Sequence, residues 1–115
     1  MTEVGTTPTA DDGRLLALLA DSREAEAAHD AAARADDDEA IAAALARLGQ
    51  VLGAMADTPA RGWTGIAVKA ARLCRSMRDG GTEPGAFGDT IADDDVPIAE
   101  SLAADLARLA PEVVA

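Results

Sequence analysis

Alanine constrains this chain more than any other feature. Of its 56 apolar residues 29 are alanine, and from Ala20 no glycine or proline interrupts until Gly49. Alanine is the best helix former and fills little of a core. The expectation is therefore long helices around thin packing, in one domain of 115 residues. Burying a large apolar side chain is worth about 1.5–3 kcal/mol, and ordering a residue costs about 1.5 kcal/mol. With 27 larger apolar residues these contributions nearly cancel. Burial of further surface against another chain is expected to relieve the deficit.

No stretch reads as the ~20 consecutive apolar residues of a membrane span. Met1 to Thr9 carries an acid and no base, the wrong charge for a secretory or transit leader. The single cysteine, Cys74, makes no internal disulfide, and no Cys/His set is present to hold zinc. The chain reads as a cytoplasmic protein with no cofactor and no metal.

The periodicity predicts an all-α fold, an antiparallel helical hairpin followed by two further helices. Residues 1–10 read as a disordered tail, 11–111 as the domain and 112–115 as a second tail. Helices are expected at about 11–34, 38–56, 64–79 and 97–110. The first opens on Leu15, Leu16, Leu18 and Leu19, after which its stripe is mostly alanine. Asp36-Asp37-Asp38-Glu39 interrupts the run. Asp36 and Glu39 have the spacing of a capping box, so a turn is placed near 35–38. A single helix from 11 to 56 is the alternative, and it would leave its stripe without a partner. The second helix carries Ile41, Leu45, Leu48, Leu52 and Met55 at steps of four and three. Gly49 and Gly53 on it suit close approach of another helix or of Trp63. Thr58-Pro59 ends it, and Thr64 is the expected cap of the third helix. That helix has the apolar set Trp63, Ile66, Ala67, Ala70, Leu73, Cys74 and Met77. Residues 82–95 read as a loop anchored by Phe87 and Ile91. Asp94 or Asp95 is expected to cap a fourth helix with the face Ile98, Leu102, Leu106 and Leu109.

The net charge of −11 is unevenly spread. Residues 1–57 carry 12 acids and 4 bases, and residues 79–115 carry 9 acids and 1 base, each segment netting −8. Residues 58–78 carry no acid and five bases: Arg61, Lys69, Arg72, Arg75 and Arg78. The expected third helix is amphipathic, with one apolar and one basic face. Its bases either pair loosely with acids of neighbouring helices or form a docking face for an acidic partner, and both readings stay open. The flanking acids repel nucleic acid at long range, and aromatic stacking platforms are lacking.

No reaction chemistry emerges. His29 lies in an acid-flanked, alanine-rich helix with no partner nucleophile and reads as a surface residue. Cys74 falls in the apolar set and reads as a buried small hydrophobe, although Arg72, Arg75 and Arg78 are near enough in sequence to activate a thiol. The acidic runs at 36–39 and 93–95 miss the ligand spacing of a calcium loop and read as caps and solvated turns. Glu100-Ser101-Leu102 lies too near the C-terminus for a carrier-protein serine, and no phosphate-binding glycine loop is present.

Thr58-Pro59-Ala60, Gly65-Ile66-Ala67 and Lys69-Ala70, with Ile98-Ala99-Glu100-Ser101-Leu102, Asp105-Leu106 and Leu109, form a recurring pattern. Through it, residues 40–110 resemble small all-helical proteins of alphaproteobacteria and their prophages. Arg61-Gly62-Trp63 departs from the threonine and small residues usual there. The resemblance implies a helical hairpin, a Pro-Ala turn and two more helices, and a bacterial origin; it points to no particular activity. The sequence thus points to a non-enzymatic helical module for protein–protein contact that self-associates. The alternative is a phage-linked acidic antagonist or regulator that mimics nucleic acid. The expected partner is a second copy or another protein, with nucleic acid unlikely and no membrane.

Overall fold

The computed structural model describes residues 9–79 and 93–111, and the side chains of all of these but 78 and 79. Four α-helices and one short 3₁₀ turn make up the ordered elements: α1 (Ala10–Arg34), α2 (Asp38–Asp57), α3 (Trp63–Asp79), a turn at Asp93–Asp95 and α4 (Val96–Leu109). No strand occurs among the described residues. The fold is the all-α arrangement expected, and each helix boundary lies close to its expected position. The end of the expected N-terminal tail is ordered instead, with Thr9 capping α1 through Asp12 N and Ala10 as its first residue; residues 1–8 and 112–115 and the loop anchors Phe87 and Ile91 fall outside the described residues.

The acidic turn does divide the first run into a hairpin, by a route that differs in detail. The N–H of Asp37 donates to Ala32 O at 3.0 Å and that of Asp36 to Ala33 O at 3.1 Å. Asp36 sits at φ 56, the left-handed residue that closes such a helix end. The cap of α2 is Asp37, whose carboxylate accepts from Ala40 N at 3.1 Å. Asp36 is thus the end of α1 and not the cap of α2.

α1 packs along α2 and beside α3, and α4 closes the arrangement against α2 and α3. α2 and α3 therefore stand at opposite corners. The apolar core is small: Leu15 and Leu18 from α1, Val51, Leu52 and Met55 from α2, Ala60 from the connecting turn, Val68 from α3 and Ile98 from α4. Around it lie buried polar groups, namely Asp12, Ser22, Thr58, Lys69, Arg72, Ser76, Asp95 and Asp105.

α2 needs a correction to the sequence reading. Its 20 residues hold an 18-residue window of mean hydropathy 1.2, long and apolar enough by length and composition to cross a membrane, and 22% of that window is buried. The apolar character is spread round the helix because alanine occupies its outer side. Leu45 is half exposed, and a side chain built at Gly49 or Gly53 would meet nothing within 4 Å. The close approach expected at these glycines is not made within one chain.

Candidate functional site

The third helix carries the sequence-derived candidates, and its start is set by a residue 50 positions away. The Asp12 carboxylate, from α1, accepts from Arg61 N at 2.8 Å and from Gly65 N at 3.0 Å. It satisfies orphan N–H groups at the positive end of α3. Position 65 must be glycine there: a Cβ would stand 2.5 Å from Asp12 Oδ1 and 2.7 Å from Ala60 Cβ. The helix consequently begins at Trp63, ahead of the expected cap Thr64.

The clamp also sets which way α3 faces, and the result is turned from the expected orientation. The buried residues are Gly65, Val68, Lys69, Arg72 and Ser76. Of the expected apolar set, Ile66 and Leu73 still pack partly buried against the core, and the others look outward or sideways. Trp63 is 71% exposed, Ala67 and Cys74 are exposed, and Ile66, Ala70, Leu73 and Met77 are half-buried. Cys74 is therefore not the buried hydrophobe expected of it.

The five nominated bases do not form one exposed face. Lys69 is fully buried, with its Nζ donating to Asp105 at 2.6 Å and to Ser101 Oγ at 2.7 Å. Arg108 donates to the other Asp105 oxygen at 2.9 Å and to Ala60 O at 2.6 Å. Arg72 is buried and donates through Nε and Nη2 to the two oxygens of Asp95 at 2.8 and 3.2 Å. Its Nη1 donates to Glu26 on α1 at 3.0 Å. Lys69 and Arg72 are thus corrected from partner-facing to inward-facing residues. The cause is that α1 and α4 bring carboxylates to them, and a buried cation persists only when paired. Arg61 and Arg75 remain on the surface, Arg61 beside Asp11 at 2.9 Å and Arg75 beside Glu26 at 3.5 Å. The side chain of Arg78 lies outside the described residues.

Burial opposes the charge on Arg72, but the hydrogen bonds and charges of Asp95 and Glu26 outweigh it. Its pKa is accordingly raised above the ordinary guanidinium value. Asp95, expected as a cap, spends its carboxylate on Arg72 and makes no side-chain cap bond to α4. The sequence did not single out Asp12, Glu26, Asp95 or Asp105 as a partner of the third helix. For Asp105 a signal existed: it stands at a seam position between Leu102 and Leu109, where an acid calls for a buried partner.

A groove of about 530 Å³ runs between α1 and α3, with Leu19, Arg23, Glu26, Asp30, Cys74 and Arg75 among its walls. Two carboxylates line it without His29, which lies 3.6 Å from Asp30 through Nδ1. The Glu26 carboxylate is already committed to Arg72 and Arg75. Among the described residues no three His, Cys, Asp or Glu side chains gather as a metal-holding set.

The surface feature that stands out is the outward arc of α3. Trp63, Ala67, Ala70, Cys74 and Met77 follow one another at steps of four, three, four and three. At about 100° per residue they span roughly 80° of the helix. Comparison with protein-family models, curated proteins and solved structures gives no significant match.

Proposed function

We propose that this protein is a non-enzymatic helical module for protein–protein contact that self-associates. The observation that carries the reading is the outward arc of α3, with Trp63 71% exposed beside Ala67, Ala70, Cys74 and Met77. Tryptophan is the residue most enriched at binding hot spots, because it loses much water-exposed area on docking. A monomer gains nothing by placing its single tryptophan in solvent while turning Lys69 and Arg72 inward. The thin core supports the same reading. The resemblance to small helical bacterial and prophage proteins fits a module without chemistry of its own.

Sedimentation of the full chain over a range of concentrations tests the reading, with Trp63 emission followed in parallel. The expected result is a mass that rises above 11.6 kDa and an emission that moves to the blue as the indole leaves water. A constant mass of one chain with unshifted emission overturns it. Salt-sensitive capture of a DNA- or RNA-handling protein by a monomeric chain would favour the acidic mimic instead.

A further inference from the structure

We infer that two copies close into a two-fold dimer in which α3 packs antiparallel against α3 of the second copy. The inference rests on the reading just given and names its occupant and geometry. Three observations carry it.

The first is the seam. Residues 63, 67, 70, 74 and 77 have the alternating spacing by which one helix meets another along its length. The seam is bulky at Trp63 and Met77 and small at Ala67, Ala70 and Cys74. Trp63 and Met77 stand equally far from Ala70. Antiparallel packing about Ala70 therefore sets small residues against small ones at the centre. It also sets each Trp63 beside Met77 of the other copy, a favourable sulfur–aromatic contact. The opposed helix dipoles agree with this direction.

The second is charge. A second copy of a −11 chain is repelled by most of the surface. Long acid-free runs occur only at 40–56, with one base, and at 58–78, with five. The four described bases of 58–78 leave no strong positive field either: Lys69 and Arg72 are neutralised inside, while Arg61 and Arg75 stand beside Asp11 and Glu26 of α1. An apolar seam framed by ion pairs matches another copy of itself. It offers little to a polyanion, which needs cations not already committed.

The third is closure. Another outward apolar face, Ala42, Leu45, Ala46, Gly49 and Gly53 on α2, stands at the opposite corner of the fold from α3. Docking α3 of one copy on α2 of the next would be head-to-tail and would propagate. Docking α3 on α3, like α2 on α2, uses one face twice and closes, and only the α3 contact takes the 71% exposed Trp63 out of water.

Two arginine substitutions separate these arrangements, at Ala67 on α3 and at Ala46 on α2, both exposed in one chain. The wild type is expected to sediment at twice 11.6 kDa. Ala67→Arg is expected to weaken the dimer by at least about tenfold with helical circular dichroism unchanged, while Ala46→Arg leaves it intact. Alkylation of Cys74 by a maleimide is expected to slow as the dimer fills. Dissociation by Ala46→Arg but not by Ala67→Arg overturns the inference and leaves self-association standing. Masses that climb past two chains do the same. A monomeric wild type with freely reacting Cys74 overturns both.

Discussion

Asp36 closes α1 in a conformation that an L side chain adopts at a cost. At φ 56 its Cβ crowds the backbone, which glycine would avoid. Among the described residues nothing ties the Asp36 carboxylate to a partner, because the cap of α2 is Asp37. Asp36→Gly is therefore expected to stabilise the fold by about 0.5–1 kcal/mol. The measurement is a denaturant midpoint, and a lower midpoint than wild type would contradict the account. Three other acids show how little a residue type says about its role. Asp12 and Asp37 both cap helix starts, one across the fold and one within its own turn. Asp95 has the position of a cap and serves as the counter-ion of Arg72 instead.

At the scale of elements, α3 is held by polar groups where an apolar stripe was expected. The strongest tie to α4 is Lys69 with Asp105, both almost wholly inaccessible. Removing one member of a buried pair strands the other and typically costs 3–5 kcal/mol. Here Arg108 stays on Asp105 after Lys69 is lost, so Lys69→Met is expected near the low end, about 3 kcal/mol. That corresponds to a fall in Tm of roughly 10 °C. Lys69→Met with Asp105→Leu is expected to return to within about 1 kcal/mol of wild type, since no buried charge is then left without its partner: Arg108, which loses Asp105, is 42% exposed and keeps its bond to Ala60 O. Thermal unfolding of the four proteins of this cycle checks it. If the double variant is no more stable than Lys69→Met alone, the pair is not what α3 rests on. This polar inner face also frees the apolar arc for contact outside the chain.

Across the whole molecule, Arg72 is the point where α1, α3 and the start of α4 meet. Its pKa is raised in the folded state by Asp95 and Glu26. A raised value means that its stabilisation is complete at pH below the unfolded-state value. That stabilisation is lost only as pH climbs through the folded one, in strong alkali. The difference in stability between wild type and Arg72→Met is therefore expected to stay constant from about pH 7 to about pH 10. Denaturant titrations of both proteins across that range measure it, and a difference that shrinks within it would contradict the assignment.

The helices, their ends and the hairpin were legible in the amino-acid order. Alanine propensity, the acidic turn at 36–39 and Thr58-Pro59 are local signals, acting within a turn or two of where they stand. The −8, +5, −8 division of charge was equally plain. What the sequence left open was which side of α3 turns inward. Its apolar side is centred on the small Ala67, Ala70 and Cys74, which gain little by burial, and of its larger members only Ile66 and Leu73 pack against the core. Its basic side faces four carboxylates that only the assembled fold brings within bonding distance. A hydrophobic period decides orientation when the apolar side outweighs the alternative. In α3 the ion pairs, with Asp12 clamping Gly65, outweigh it, and those contacts join residues 23 to 53 positions apart.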